Sequence, residues 1–132
     1  MKLEVYLYFR GNCKEAMQFY QNIFGGELDQ VAYGDTPGTN PEHKDWLMHA
    51  NLRDGDVKLM ASDTEQASEH TAKVELTLTG TDEAKMRGAF DALSDGGQVI
   101  MPLKKEQWGD VYGKLTDKYG VDWAMNIGTA AG

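Results

Sequence analysis

Two side chains, His49 and Glu75, have the chemistry of acid–base catalysis. An imidazole changes charge near physiological pH and could act as a general base. A carboxylate in a water-poor cavity could serve as an acid or a base. Each residue also has a structural interpretation: a single histidine on a strand is usually held by hydrogen bonds, and Glu75 could pair with Lys73 or another cation. Both interpretations are open at this point.

The other reactive groups predict little further chemistry. Cys13 falls near the start of a predicted helix, where the helix dipole favours a thiolate, but no histidine adjoins it in the sequence to activate it. The sequence contains no P-loop. Neither glycine pair, Gly25-Gly26 or Gly96-Gly97, occupies the turn from strand to helix that a dinucleotide requires. A glycine-rich cofactor loop is therefore not expected.

Composition narrows the class of protein. The chain has 132 residues, a formal net charge of −8, 41% hydrophobic residues and one cysteine. These values predict one soluble domain with an acidic surface and no internal disulfide. The acidity argues against nucleic acid and anionic membranes, which bind through Lys and Arg. Because neither a secretory signal nor a membrane span is recognisable, we expect a cytoplasmic protein.

The elements that must position these residues occur twice. In the first half, a strand at 3–9, a helix from Asn12 to the glycine pair, and strands at 27–33, 46–52 and 57–62 are predicted. In the second half, a strand at 74–79, a helix capped by Thr81 or Asp82, and strands at 98–103, 112–116 and 121–127 follow the same order. Asn12 and Glu15 resemble a capping box.

Each half therefore has the order βαβββ, which predicts an α+β fold of two modules. The expected bounds are 1–63 for the first module, 64–73 for a linker and 74–132 for the second. Neither module can bury its sheet alone, so we expect them to pack together or to exchange with a second chain. The polar loop from Gly34 to Asp45 is either a solvated connection or a lid over a pocket.

Strand alternation predicts which side chains face away from the helices. The apolar face takes Met48, Ala50 and Leu52 on one strand and Val57, Leu59 and Ala61 on the next. The opposite face then collects a mixed set that is typical of a small-molecule cavity: His49, Asn51, Met60, Ser62, Glu75, Thr77 and Asn126. The alternative is a face that is simply solvated.

Five aromatic or charged residues join this set as candidates. Tyr112 and Lys114 share one face of their strand and are expected to reach the cavity or its rim. Trp108, in a loop, is either an aromatic wall for a ligand or a dimer contact. The alternation of the first strand leaves open whether Tyr6 and Tyr8 line the cavity or pack under a helix.

Three segments carry a family resemblance: YLYFRGNCKEAMQFYQNIFGGEL, MHANLRDGDVKLMASD and YGKLTDKYGVDWAMNI. Together they resemble the PhnB-like branch of the vicinal oxygen chelate superfamily, which contains glyoxalase I, extradiol dioxygenases and bleomycin-resistance proteins. The resemblance implies paired βαβββ modules, each with a cupped mixed sheet and its helix on the outer face, that enclose a cavity, often in a homodimer. The branch often carries a demethylubiquinone methyltransferase label, for which this sequence offers no cofactor loop.

The resemblance also implies where a metal would bind. Metalloenzymes of the superfamily use four inward ligands, and these positions correspond to Val5 (within one residue), Met60, Glu75 and Ala124. Only Glu75 suits a hard or borderline cation. We therefore expect neither a cofactor nor the usual metal site; a Glu75–His49 pair completed by water or substrate is the weaker alternative.

The resemblance and the residues together predict a homodimeric protein that binds a small molecule. The rival is an isomerase, lyase or dioxygenase-type enzyme that acts on an oxygen-rich small molecule with Glu75 and His49 in acid–base or metal-binding roles. A pure interaction module is the third class.

Overall fold

The structure is a computed structural model that describes residues 4–65 and 74–129. The chain divides into two compact units, Met1–Thr71 and Ala72–Gly132. Of the predicted linker 64–73, only Thr64 and Glu65 fall within the described residues.

The first unit is built from four strands and one long helix. In chain order these are β1 (Val5–Phe9), α1 (Cys13–Phe24), β2 (Glu27–Ala32), β3 (Leu47–Asp54) and β4 (Val57–Asp63), with a 3-10 turn at Pro41–His43 before β3. The sheet has the order β1-β4-β3-β2, and only the β1–β4 pairing is parallel.

The second unit repeats this plan. It contains β5 (Glu75–Gly80), α2 (Glu83–Ser94), β6 (Gln98–Lys105), β7 (Val111–Thr116) and β8 (Asp122–Ile127). Its sheet has the order β5-β8-β7-β6, with β5 and β8 parallel. Two mixed four-stranded sheets, each with one helix, confirm the predicted pair of βαβββ modules.

The first core lies between α1 and one face of its sheet. The buried helix residues are Cys13, Ala16, Met17 and Tyr20, and the sheet contributes Ala50, Leu52, Leu59 and Ala61. The spacing of apolar residues in the sequence predicts a helix stripe of Ala16, Phe19, Tyr20, Ile23 and Phe24. Ala16 and Tyr20 are buried, whereas the other three are only half-buried. The buried stripe is thus centred nearer the start of α1 than the spacing of aromatic residues suggested.

The predicted apolar face of β3 was wrong at Met48. The pairing of β3 with β2 shifts by one residue, so that Val31 pairs with His49 and Ala32 with Leu47. Because this bulge leaves Met48 without a partner in the ladder, the strand turns and Leu47 enters the core in its place. Met48 is 37% exposed, whereas Leu47 is 4% exposed.

The second core lies between α2 and one face of the second sheet. Phe90 and Leu93 of α2 are buried, together with Leu115, Trp123 and Met125 of β7 and β8. The helix contacts β6, β7 and β8.

The two helices begin with different caps. Asp82 is the N-cap of α2, and its side chain accepts a hydrogen bond from the Lys85 N–H at 3.1 Å. Asn12 is the N-cap residue of α1 but makes no such bond, so the predicted capping box was wrong. The carboxylate of Asp63, at the end of β4, binds the Gly11 and Cys13 N–H groups instead. A long-range carboxylate therefore binds the N–H groups on either side of the N-cap residue, and that of Cys13 is one of the helix donors without an intrahelical partner.

The second glycine of each pair is required by a close backbone approach. A Cβ atom on Gly26 would lie 2.2 Å from the Arg53 carbonyl oxygen, and one on Gly97 would lie 2.2 Å from that of Thr116. Gly26 also has a φ of +86°, a region that side chains other than glycine disfavour. Within 4–65 and 74–129, no helix is long and apolar enough to cross a membrane.

Candidate functional site

The sheet face opposite α1, hereafter the first open face, carries the candidate residues of the first unit. The parallel register places Tyr6 beside Met60 and Tyr8 beside Ser62, and Asn51 pairs with Met60 from the other side. Tyr6 and Tyr8 therefore belong to this face, which resolves the ambiguity of the first strand. Met60, His49 and Asn51 are half-buried there, whereas Ser62 is buried.

An aromatic cluster occupies one part of the first open face. Tyr6 and His49 share a hydrogen bond of 3.2 Å between Oη and Nδ1. The ring of Tyr6 lies 5.1 Å from that of Tyr8 and 5.8 Å from that of His49, measured between centroids. Tyr8 remains 49% exposed. The cluster thus offers ring surface and one hydrogen-bonded hydroxyl to solvent.

Polar groups complete the first open face. The side-chain oxygen Oδ1 of Asn51 is buried without a hydrogen-bond partner among the described residues. Toward the β3–β4 turn the charges are paired: Arg53 contacts Glu27 and Asp29, and Lys58 contacts Glu4. Paired charges of this kind are worth little in stability, and they leave the first open face without a net positive site.

The second open face, opposite α2, carries the candidates of the second unit. The registers align Thr77 with Ala124 and Lys114, and Thr79 with Asn126 and Tyr112. Lys114 Nζ lies 3.3 Å from Glu75 Oε2, so Lys114 is a cationic partner of the kind predicted for Glu75. The other predicted partner, Lys73, lies outside the described residues. The hydrogen bond and charge of Glu75 raise the pKa of Lys114, so its ammonium form is favoured.

The remaining candidates of the second unit are held by neighbours or exposed. Asn126 donates to Asp110 at 2.9 Å. Trp108 is 61% exposed and meets Tyr112 edge-on, with 6.1 Å between ring centroids. Glu75, Thr77, Tyr112, Lys114 and Asn126 therefore share one face, and Trp108 lies at the end of that group.

A cavity lies in the first unit between the end of β4 and the loop of residues 34–46, for which the sequence left open a solvated connection or a lid over a pocket. Its volume is about 650 Å³, within the range of small-molecule pockets. The lining residues are Tyr33, Gly38, Thr39, Asn40, His43, Trp46, Asp63, Thr64 and Glu65. None of these residues was among the predicted site residues, because only the tertiary fold brings the loop to the strand end. The rings of His43 and Trp46 in an otherwise polar loop were the signal that the sequence offered.

The loop is fixed by hydrogen bonds and by Trp46. Tyr33 N–H donates to the Trp46 carbonyl at 2.8 Å, and Gly34 N–H donates to that of Lys44 at 2.8 Å. A Cβ atom on Gly11 would lie 3.1 Å from the indole nitrogen Nε1 of Trp46, so the glycine leaves room for this ring. Tyr33 Oη donates to the Asp63 carbonyl at 3.0 Å, and burial, followed by the charges of Asp63 and Tyr6, raises the pKa of Tyr33.

Among the described residues of the first unit, Cys13 is the buried group whose pKa is shifted most. Its side chain has no exposed surface, and burial together with the charge of Asp63 raises the pKa of the thiol to about 12. The expected dipole effect on this thiol was therefore wrong, because desolvation and a neighbouring carboxylate outweigh it. The protonated thiol form of Cys13 is therefore favoured near neutral pH.

Comparison with known proteins gives the family. Residues 2–125 match the model of the Glyoxalase/Bleomycin resistance protein/Dioxygenase superfamily. The chain belongs to this superfamily. It is 29% identical to Protein YjdN of Escherichia coli (strain K12), over 96% of this chain and 95% of that protein.

Two solved structures extend the likeness within the superfamily. Protein PA1353 from Pseudomonas aeruginosa has a TM-score of 0.87 and 36% identity, covering 98% of both chains. The PhnB protein from Bacillus cereus has a TM-score of 0.78 and 26% identity, covering 97% of this chain and 100% of that one. The predicted PhnB-like resemblance is confirmed.

The metal ligands that the superfamily implies do not fit the residues present. Val5 pairs with buried Leu59 on the helix side, so the residue of β1 beside Met60 is Tyr6. Ala124 has no donor and is buried, and Glu75 is paired with Lys114. A phenol, a thioether and one engaged carboxylate are a poor donor set for a hard or borderline cation. Among residues 4–65 and 74–129, no three His, Cys, Asp or Glu side chains are grouped for a metal.

Proposed function

We propose that this YjdN- and PhnB-like member of the superfamily binds a small molecule on its open sheet faces, in the cavity of a paired-module homodimer and without a four-ligand metal centre. The observation that carries the proposal is the replacement of donors at the mapped positions by Met60 and Ala124, on faces that retain many neutral polar groups. A site of this composition holds a ligand by ring contacts and hydrogen bonds rather than by chelation.

Three features support binding over a merely solvated surface. The rings of Tyr6 and Tyr8 are about half exposed beside His49, so apolar area is available to a ligand. Within the part of the chain that the structure describes, the Asn51 oxygen is buried without a partner, a costly arrangement for a face with no binding role. The Glu75–Lys114 pair offers both signs of charge on the second open face.

Native mass spectrometry combined with elemental analysis of the purified protein tests this proposal. The expected result is a dimer that carries a small organic molecule and less than stoichiometric divalent metal. Glu75→Ala and the matched control Glu83→Ala, which removes an exposed carboxylate paired with Arg87 on α2, should give the same metal content. Stoichiometric metal that is lost only in Glu75→Ala would overturn the proposal.

The enzyme alternative has one observation in its favour, the hydrogen bond between Tyr6 and His49. A phenol in contact with an imidazole can relay a proton to a bound substrate. Under this alternative, turnover of an oxygen-rich small molecule falls strongly in His49→Ala and Glu75→Gln. Turnover that is unchanged in both variants excludes these residues from acid–base roles.

A further inference from the structure

The cavity under the 34–46 loop contains an imidazole and a carboxylate in direct contact. His43 Nδ1 lies 3.1 Å from Glu65 Oε1, and both side chains line the cavity. These residues are separate from the candidates on the two open faces. Their arrangement, a carboxylate bonded to one nitrogen of a histidine beside a cavity, is the one that orients catalytic imidazoles.

Three contacts hold His43 in place. Its ring stacks on Trp46 with 3.5 Å between centroids and 8° between planes. Its backbone N–H donates to the Asn40 carbonyl at 2.8 Å, which closes the 3-10 turn. The third contact joins Nδ1 of the imidazole to the carboxylate of Glu65. A side chain restrained in this way loses little entropy when it acts on a bound molecule.

The contact with Glu65 also selects the tautomer. A neutral imidazole that donates its Nδ1 proton to a carboxylate keeps a lone pair on Nε2, where it accepts a proton. After that transfer, the carboxylate stabilises the imidazolium. The ring of His43 is half-buried, with 22% of its side chain exposed, and remains accessible for this exchange.

The rest of the lining indicates the charge of the substrate. The described lining residues include no Lys or Arg, whereas Asp63 and Glu65 are acidic, so anions are disfavoured. Asn40 uses its side-chain oxygen to accept from the Glu42 N–H at 3.0 Å, which orients the amide group at the cavity wall. Asn40 and Thr39 supply neutral hydrogen-bonding groups. This lining suits an uncharged molecule with a polar atom next to its acidic proton.

We propose that His43 is the general base of a second site, positioned by Glu65, which removes a proton from an uncharged small molecule in the loop cavity. Nε2 takes the proton, and the electron pair of the broken bond stays on the substrate. In an isomerisation the same imidazolium returns the proton to another atom, so no oxidant, reductant or co-reactant is consumed.

Elimination of 5-nitrobenzisoxazole tests the proposal with a planar, uncharged probe. The base removes the C3 proton, the C–H pair forms the nitrile, and the N–O bond breaks to leave a coloured phenolate. We expect the protein to exceed the same concentration of free imidazole by roughly 100-fold, the lower end of general-base contributions. His43→Phe, which keeps a ring on Trp46, and His43→Gln should both remove this excess.

Glu65→Gln tests the positioning role through its separate effects on kcat and KM for the probe. Loss of the carboxylate leaves the imidazole free to turn, so kcat should fall by up to roughly 100-fold, the effect of a misplaced catalytic group, whereas KM should stay unchanged. Glu42→Gln, which removes an exposed carboxylate from the same loop, is the matched control and should leave both values in place. An unchanged kcat in Glu65→Gln would exclude the positioning role.

The proposal is overturned if the wild-type protein is no faster than imidazole, or if both His43 variants retain the excess rate. An excess rate that disappears in His49→Gln but persists in His43→Phe also overturns it, and locates the base on the first open face. Failure of this site leaves ligand binding on the open faces unaffected, since native mass spectrometry measures that binding separately.

Discussion

Replacement of Asp63 by alanine should destabilise the first unit more than any surface change. The carboxylate is 1% exposed and accepts three backbone N–H bonds: Gly11 at 2.7 Å, Cys13 at 3.0 Å and Leu47 at 2.8 Å. It joins the end of β4 to the start of α1 and the start of β3. Among residues 4–65 and 74–129, no other side chain accepts from these three donors.

The expected loss follows from the number of bonds. Hydrogen bonds to a charged group contribute about 1.5–3 kcal/mol each, so three of them give a loss of roughly 4–6 kcal/mol after partial hydration of the exposed donors. Asp63→Asn keeps one carbonyl oxygen and should lose about half as much. Asp82→Ala is the matched control, because an exposed N-cap of α2 contributes only about 1 kcal/mol.

Urea unfolding followed by circular dichroism measures the free energies, and amide hydrogen exchange locates the effect. We expect exchange at the Gly11, Cys13 and Leu47 N–H groups to accelerate in Asp63→Ala and to stay unchanged in Asp82→Ala. If Asp63→Ala costs no more than Asp82→Ala, or if exchange at these three amides is unaltered, the carboxylate does not hold the elements together.

Three further predictions concern single groups. Cys13 should resist a thiol reagent at neutral pH and react only in urea, since burial raises its pKa to about 12 and keeps the thiol protonated; rapid labelling of the folded protein would contradict this. Glu75→Gln should lower the pKa of Lys114 measured by NMR titration, because the raised pKa depends on that carboxylate; the stabilising contact is present below the unfolded-state pKa of lysine and is lost as pH rises through the folded-state pKa. An unchanged Lys114 titration would exclude the contact in solution. Gly97→Ala should destabilise the second unit by about 1 kcal/mol or more, because the new Cβ would meet a carbonyl oxygen at 2.2 Å, whereas Gly88→Ala, in open space on α2, should stabilise it by about 0.5–1 kcal/mol; thermal unfolding compares them, and equal midpoints would contradict the close approach.

Periodicity predicted the fold because the pattern of each element is local. The period-two alternation of Leu76 and Leu78, and the glycine pairs after each helix, identify strands and helix ends without knowledge of their partners. The repeated order of these elements then predicted two βαβββ modules. Errors arose where one strand adjusts to another: the bulge that turns Met48 outward depends on the pairing of β3 with β2.

The candidate site was predictable only in part for a similar reason. Alternation correctly grouped Tyr112 with Lys114, and Glu75 with Thr77, because those strands are regular. It could not orient β1, where Tyr6 and Tyr8 alternate with aliphatic residues of similar hydrophobicity. The register with β4 decided that case.

The sequence by itself determined the element order and the module duplication, since both follow from residue types at fixed spacing. The resemblance of three segments gave the family, and with it the mapped positions Met60 and Ala124, which carry no suitable metal donor. The tertiary structure alone decided which distant groups meet. Asp63 caps a helix fifty residues away, Lys114 pairs with Glu75, and His43 contacts Glu65 across a cavity. Such contacts arise when the chain folds back on itself, and local patterns carry no information about them.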